Sequence, residues 1–259
     1  MIFDTHTHYD DAQFDEERDT ILKSLSGYGI GNVVDVGAGV KSTARAVALA
    51  KEYPFVYAAA GVHPTETGEL TEQNFSWLAS QIDEKKVVAV GEIGLDYYWD
   101  CPHDTQQYWF RRQLLLAAEK DMPVIIHSRD AAADTLSIIQ QAYGEAMEQG
   151  RRLTGVIHCF SYGRELAREY VKMGFFLGIG GVVTFRNARK TKEVVTETAL
   201  KHLVLETDCP YLSPEPHRGE RNSSLHLPFV VEEIARLKGI TAQEVIRVTA
   251  ENARQLYRL

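Results

Sequence analysis

Cysteine, proline and long apolar runs are scarce in this chain of 259 residues. The 3 cysteines, Cys101, Cys159 and Cys209, contain no CxxC pair, and this usage is typical of reduced thiols in a cytosolic protein. No apolar run reaches the roughly 18 residues that a membrane span requires. The first residues, MIFDTHTHYDD, show neither the basic nor the apolar region of a secretory signal. We therefore expect a cytoplasmic protein without a membrane partner.

Positive charge is also in deficit. Lys and Arg number 28 against 36 Asp and Glu, so the formal net charge is −8. This balance excludes a broad basic surface for coating duplex nucleic acid, but it allows a small site that handles phosphates through metal ions. Apolar residues make up 44% and charged residues 25%, as in folded soluble proteins. No exposed apolar stripe stands out, so we expect a monomer.

Short β-type runs alternate with helical stretches along the whole chain, and no linker divides it. Strands are expected at 2–6, 32–38, 55–63, 87–94, 122–127, 153–158, 175–180 and 202–208. Helices are expected near 14–28, 41–52, 71–84, 104–120, 130–148, 162–173, 187–200, 228–238 and 241–257. The strand cores are nearly continuous apolar runs, which suits parallel strands buried on both faces. Eight such units predict an α/β fold, a (β/α)8 TIM barrel, as a single domain over residues 1–259.

An open doubly wound sheet is the alternative fold. It would carry a glycine-rich phosphate turn after its first strand, where this chain has His-Thr-His. The glycine-rich run 178–181 follows the seventh predicted strand, where TIM barrels often bind phosphate. Tight packing explains that run equally well, so it decides nothing about function.

Polar side chains stand where the predicted strands end, and the carboxyl ends of barrel strands are where such enzymes carry out chemistry. His6 and His8 are two positions apart and would project to the same face of the first strand. The other residues at strand ends are His63, Glu92, His127, His158 and Asp208. Imidazole and carboxylate are ligands for Zn²⁺, Mn²⁺ and related ions. His63 lies beside the other six, and six ligands exceed the need of one ion, so we expect two divalent ions with Glu92 as their bridge.

Seven motifs carry a resemblance to a known family. They are FDTHTHYD (3–10), GVHP (61–64), VGEIGLDYYWD (90–100), PVIIHSRDA (123–131), GVIHCFSYG (155–163), LVLETDCPYLSP (203–214) and PHRGERN (216–222). In this order they resemble the TatD family of metal-dependent deoxyribonucleases, which belongs to the amidohydrolase-type TIM barrels. The resemblance implies a two-metal 3′→5′ exonuclease acting on single-stranded DNA, with Mg²⁺ as a further candidate metal.

The resemblance also implies roles for individual residues. His6, His8 and Asp208 would hold one ion, His127 and His158 the second, and Glu92 would bridge them. His63 would contact the scissile phosphate. The further phosphate contacts that the resemblance suggests are Arg129, His217, Arg218 and Asn222. Family members often continue the last motif with Glu-Pro and a Tyr, whereas Asn222 is followed here by Ser-Ser-Leu-His.

Catalysis is expected to use the same residues. The cations would activate a water and neutralise phosphate oxygens, and Asp208 would accept the proton from that water. His63 is expected to donate a proton to the phosphate or leaving group. Glu206 lies two positions before Asp208 and is either a partner that orients a ligand or a buried structural carboxylate.

Two other functions remain open at this level. An amidohydrolase-type enzyme with the same ligands would cleave an ester or amide, such as D-aminoacyl-tRNA. No lysine stands at a strand end to be carboxylated as a metal bridge, which disfavours ring-amide hydrolases. A non-enzymatic metal-binding or scaffold protein is the third hypothesis, and a complete ligand set with room for water argues against it.

Overall fold

The computed structural model describes residues 1–259, and its eight strands form one sheet in sequence order. Strands β1 to β8 span Ile2–Thr7, Ile30–Val36, Val56–Ala60, Val87–Asp96, Val124–Arg129, Gly155–Ile157, Phe176–Ile179 and Leu203–Leu205. Helices α1 to α9 span Arg18–Ser24, Val40–Glu52, Glu72–Ile82, His103–Glu119, Ala132–Glu148, Arg164–Lys172, Arg189–Glu197, Leu227–Lys238 and Ala242–Tyr257. Eight parallel strands that alternate with helices confirm the predicted TIM-barrel fold. No helix combines the length and the apolar character needed to cross a membrane.

The chain comprises two compact units. Unit 1 contains residues 1–35 and 158–259, and unit 2 contains residues 36–157. The single domain expected over residues 1–259 stays a prediction.

Unit 1 is built from both ends of the chain. Strand β1 pairs in parallel with β2, and β7 pairs with β8. Thr7 forms a parallel bridge with Cys209, which makes β1 a neighbour of the segment after β8. Helix α9 packs against β1 and β8, and the buried Tyr257 donates a hydrogen bond of 2.8 Å to the carbonyl of Thr5. The amino-terminal strand is therefore fixed by residues at the far end of the sequence.

Unit 2 is a contiguous segment whose strands pair in the order β3, β4, β5 and β6. Two buried glutamines of α4 satisfy the backbone near the carboxyl ends of two strands. Gln106 bonds to the amide and carbonyl of Asp96 at 2.8 and 2.9 Å. Gln113 bonds to the amide and carbonyl of Val62 at 2.9 and 3.2 Å. Each glutamine thereby fixes a backbone segment close to a candidate site residue.

Two strands, β6 and β8, are shorter than the sequence predicts. Strands β6 and β8 have three residues each, against the predicted 153–158 and 202–208. Cys159 and Asp208 adopt left-handed backbone conformations, with φ of 45° and 58°, which an extended ladder does not accommodate. The polar residues that follow these strands therefore lie in turns just beyond the sheet.

Candidate functional site

In unit 1 the end of β1 and the turn after β8 bring three predicted metal ligands together. The Nε2 atoms of His6 and His8 lie 3.1 Å apart. Oδ1 of Asp208 lies 3.7 Å from Nε2 of His6 and 3.5 Å from Nε2 of His8. Between the two histidines, the hydroxyl of Thr7 donates to the carbonyl of Val34 at 2.9 Å, as expected for alternation along a strand. Two imidazoles and one carboxylate therefore offer donors to a common point.

Backbone hydrogen bonds hold this geometry. The amide of Asp208 donates to the carbonyl of His6 at 3.0 Å, and the amide of His8 donates to the carbonyl of Cys209 at 2.9 Å. Burial raises the pKa of the Asp208 carboxyl, but the hydrogen bond from His8 and the nearby charges of His158 and His6 outweigh it and lower the pKa overall. The carboxylate is therefore held in the anionic form that a cation requires.

His158 and Glu206 extend the same cluster. The ring of His158 stacks on that of His6 with centroids 3.9 Å apart, and its Nδ1 lies 3.4 Å from Oε1 of Glu206. Oε1 accepts a hydrogen bond of 2.5 Å from the amide of Cys159, whereas the buried Oε2 has no hydrogen-bond partner. A buried carboxylate oxygen without a donor suits a site that holds a cation. The donors of His6, His158 and Glu206 all lie within 4.8 Å of one another.

The glycine run after β7 serves packing. A Cβ atom on Gly178 would lie 2.2 Å from Oε2 of Glu206, so only glycine leaves space for this carboxylate. A Cβ atom on Gly181 would lie 2.1 Å from the carbonyl oxygen of Leu212. The sequence left phosphate binding and tight packing as explanations for this run, and these contacts favour tight packing.

Unit 2 contains a second group of donors around Glu92, whose side chain is buried in β4. Oε1 of Glu92 lies 3.0 Å from Nδ1 of His127 and 3.8 Å from Nε2 of His63. Backbone hydrogen bonds fix the positions of Glu92 and His63. The amide of Glu92 donates to the carbonyl of Gly37 at 2.8 Å, and the amide of His63 donates to the carbonyl of Ala38 at 3.0 Å. The three donors lie within 4.8 Å of one another, a spacing at which one ion can be shared.

The second ring nitrogen of His63 and that of His127 each have a partner of their own. Nδ1 of His63 lies 2.7 Å from the hydroxyl of Thr65, and Nε2 of His127 lies 3.1 Å from Oδ2 of Asp96. Burial raises the pKa of Asp96, but its bond and charge interaction with His127 lower the pKa overall. A carboxylate in this position fixes the orientation of a ligating imidazole. Sequence analysis did not single out Asp96, although it lies four positions after Glu92 in one strand and so on the same face.

The predicted phosphate contacts lie in different environments. Arg129 and Arg218 are exposed, and each guanidinium stacks on an aromatic ring, at 3.6 Å from the centroid of Tyr98 and 4.3 Å from that of Phe185. His217 is half-buried, and its Nδ1 lies 2.8 Å from a carboxylate oxygen of Glu220. It also stacks on His226 with centroids 4.4 Å apart. The two arginines and His217 thus remain accessible to a ligand.

Asn222 does not fit the role of a phosphate contact. Its side chain is fully buried, and its amide nitrogen donates to the carbonyls of Thr207 and Tyr211 at 3.0 and 2.7 Å. Its side-chain oxygen accepts from the amide of Ser223 at 2.9 Å. We therefore correct its assignment: Asn222 fixes the loop that follows β8, because its polar atoms are already engaged by protein.

The serines that depart from the family pattern are buried as well. Ser224 donates from its hydroxyl to Oδ2 of Asp4 at 2.7 Å and accepts from the hydroxyl of Tyr9 at 2.9 Å. Asp4 also accepts from the hydroxyl and the amide of Thr207 at 2.8 and 3.0 Å. Burial raises the pKa of Asp4 to about 7 in spite of these bonds. The departure therefore lies in the interior and ties the loop to β1.

Comparisons with known proteins identify the family of this chain. The family model described as TatD related DNase matches residues 3–258. The chain is 42% identical to the uncharacterized metal-dependent hydrolase YabD of Bacillus subtilis (strain 168), over all of both chains. It is 31% identical to the 3′-5′ ssDNA/RNA exonuclease TatD of Erwinia tasmaniensis, again over all of both chains.

A solved structure shows the same fold. The crystal structure of YjjV, a TatD homolog from Escherichia coli K12, superimposes with a TM-score of 0.92 and 30% sequence identity, covering 100% of this chain and 98% of that one. Family model, relatives and structure all extend over nearly the entire length. The chain therefore belongs to the TatD related DNase family and is a metal-dependent hydrolase.

Proposed function

We propose that this hydrolase holds two divalent ions per chain, Mg²⁺, Mn²⁺ or Zn²⁺, and removes nucleotides from the 3′ end of single-stranded DNA. The observation that carries the proposal is that imidazole and carboxylate donors converge in each unit. His6, His8 and Asp208 do so in unit 1, and His63, Glu92 and His127 in unit 2. His158 and Glu206 lie beside the first set and are further candidates for holding its ion.

Residues of the chain supply the proton transfers. Bound divalent ions supply a water of lowered pKa and neutralise charge on the phosphate oxygens. Asp208 would accept the proton of the attacking water, since its lowered pKa keeps the carboxylate anionic. We assign His63 to the phosphate rather than to an ion. Its Nδ1 is engaged by Thr65, so Nε2, which faces Glu92, would contact the phosphate, while Glu92 and His127 would hold the ion.

Nucleic acid as the substrate is supported by two kinds of observation. The relative from Erwinia tasmaniensis bears the name of a single-strand exonuclease that acts at 3′ ends. In this chain, the exposed Arg129 and Arg218 provide local positive charge on a protein with a net charge of −8. Such local charge suits contacts with a few phosphates better than a long duplex track.

The test uses metal-stripped protein and a 5′-labelled single-stranded oligonucleotide. Mg²⁺, Mn²⁺ and Zn²⁺ are added back separately, and Glu92→Gln and Asp208→Asn are compared with the exposed control Glu165→Gln. We expect a ladder that shortens from the 3′ end only with metal, is retained by the control and is lost in both site variants. Absence of cleavage with two ions bound per chain would contradict the nuclease assignment, and a D-aminoacyl ester would then be the substrate to assay.

Metal content tests the expectation that Glu92 bridges two ions. Elemental analysis of the purified protein should give two ions per chain for the wild type. Glu92→Gln should lower the affinity for both ions, because a bridging carboxylate contributes to each. If Glu92→Gln loses one ion and retains the other with unchanged affinity, Glu92 serves a single ion.

A further inference from the structure

Two large aromatic side chains stand exposed in the loop between β4 and α4. Tyr98 and Trp99 are 56% and 54% exposed, and their rings meet edge to face with centroids 5.1 Å apart. The guanidinium of Arg129 lies 3.6 Å from the centroid of the Tyr98 ring. We call Tyr98, Trp99 and Arg129 the aromatic platform. All three belong to unit 2.

Arg129 differs from another stacked arginine of the same unit. Arg112 lies 4.4 Å from the ring centroid of Phe75, and its guanidinium nitrogens are engaged by both carboxylate oxygens of Glu72. Arg129 stacks as closely but forms no ion pair, so its donors remain available. A planar guanidinium with available donors is suited to bind a phosphate.

The platform is held in place by its neighbours in the loop. Tyr97 is stacked on His103 with centroids 3.7 Å apart, and its hydroxyl donates to Asp134 at 2.8 Å. The amide of Tyr98 donates to Oδ1 of Asp96 at 3.0 Å. These contacts order the loop before a ligand arrives, which lowers the entropic cost of binding.

Asp96 also connects the platform to the candidate metal ligands. One of its oxygens accepts from the Tyr98 amide, and the other lies 3.1 Å from Nε2 of His127. Strand β5 carries both His127 and Arg129, two positions apart. The amide of Tyr97, which follows β4, donates to the carbonyl of Arg129 at 2.9 Å. The platform is thus built on the two strands that position Glu92 and His127.

We propose that the aromatic platform is a binding site for an unpaired nucleobase, which stacks on Trp99 and Tyr98 while Arg129 binds the phosphate of the same strand. The proposal rests on the proposed function, since it specifies how that site selects single strands. Stacking on an aromatic ring tolerates every base because each has a π-face, whereas the bases of a duplex are already stacked on their neighbours. The positive charge of Arg129 complements the phosphate that accompanies each base.

Binding is tested on metal-free full-length protein in a chelator, where no cleavage occurs. The probe is a fluorescent single-stranded thymidine oligonucleotide, followed by anisotropy. Matched probes are an abasic sugar–phosphate strand and a blunt duplex of equal length. Variants are Trp99→Ala, Tyr98→Ala and the conservative Trp99→Phe. The control is Tyr28→Ala, because Tyr28 is 63% exposed and precedes β2 at the amino end of that strand.

We expect Trp99→Ala and Tyr98→Ala to weaken binding of the thymidine strand on the order of 10-fold each. Trp99→Phe should retain most of the affinity, Tyr28→Ala should match the wild type, and the abasic strand should bind the wild type and Trp99→Ala equally. The proposal that the platform binds a nucleobase would be contradicted if the wild type and Trp99→Ala bound the thymidine strand equally well, or if the wild type did not bind it.

A second assay separates this result from the fate of the proposed function. Metal-loaded wild type and Trp99→Ala are compared on bis(4-nitrophenyl) phosphate and on the oligonucleotide. The platform predicts an increase in KM for the oligonucleotide alone, with kcat and KM for the small diester unchanged. If the loaded enzyme cleaves neither substrate, the nuclease function fails, and the anisotropy experiment still decides whether the platform binds bases.

Discussion

Oδ2 of Asp96 lies 3.1 Å from Nε2 of His127, while Nδ1 of the same ring lies 3.0 Å from Oε1 of Glu92. One imidazole therefore lies between two buried carboxylates. An imidazole that binds a metal through one nitrogen donates a hydrogen bond from the N–H of the other. Asp96 therefore selects the tautomer and the ring orientation of His127.

Replacing Asp96 by asparagine should therefore weaken the metal site of unit 2. We expect Asp96→Asn to lower metal affinity about 10- to 100-fold, in line with the loss of other carboxylates that orient a ligating histidine. Competition with a chromophoric chelator measures this directly. Asp83→Asn is the control, since Asp83 is an exposed residue of the same unit that pairs with Lys120. Equal affinities of Asp96→Asn and the wild type would show that His127 needs no such partner.

Glu206 gives a corresponding prediction for unit 1. Its Oε2 is buried without a hydrogen-bond partner, so a bound cation would stabilise this carboxylate. Glu206→Gln keeps the volume but removes the charge, and the increase in Tm on metal addition should shrink by several degrees. Differential scanning fluorimetry with and without metal measures the change, with the exposed Glu165→Gln as control. A metal-induced shift equal to that of the wild type would assign Glu206 a purely structural role.

A double-mutant cycle can measure how the hydrogen bonds of Ser224 contribute to stability. Ser224→Ala removes one of the hydrogen bonds to Asp4 and leaves the buried hydroxyl of Tyr9 without its acceptor, so it should lower the free energy of unfolding by about 1–3 kcal/mol. Tyr9→Phe removes the hydroxyl that donates to the side chain of Ser224 and accepts from its amide. Both substitutions remove the hydrogen bond between Tyr9 and Ser224. The double variant should therefore lose less free energy of unfolding than the sum of the two single variants. Urea unfolding of the four proteins tests this, and strict additivity would mean that the bonds do not act together.

The pKa of Asp4 predicts a pH dependence of stability. Its value of about 7 in the folded protein exceeds the ordinary 3.8, so the folded state binds this proton more tightly than the unfolded state does. The stabilisation is complete below pH 3.8 and is lost as the pH rises through 7. The slope contributed by one proton is at most about 1.4 kcal/mol per pH unit.

Urea unfolding of metal-free protein between pH 4.5 and 7.5 measures that slope. Asp4→Asn should have a flatter dependence than the wild type, whatever its absolute stability, because the titrating group is gone. Asp134→Asn, which changes an exposed carboxylate, should follow the wild type. Parallel curves for Asp4→Asn and wild type would show that Asp4 is not protonated on folding.

The sequence predicts a large part of this arrangement. Period-2 alternation is sufficient to place His6 and His8 on one face, and apolar runs are sufficient to place eight strands. The sequence does not reveal which nitrogen of His127 faces Glu92, because that depends on the rotation of a single ring. Nor does it show that Asn222 and Ser224 are buried, since the burial of a loop depends on contacts with strands some 200 residues away.

The origin of unit 1 from both chain ends has a consequence for biosynthesis. Asp4 and Thr207 are separated by 203 positions, and Tyr257, whose hydroxyl holds Thr5, follows that residue by 252 positions. Residues 36–157 find all their partners for unit 2 within one uninterrupted segment. On a ribosome, His6 and His8 therefore emerge long before the carboxylate of Asp208, and a nascent chain released before Asp208 lacks the ligand set of unit 1.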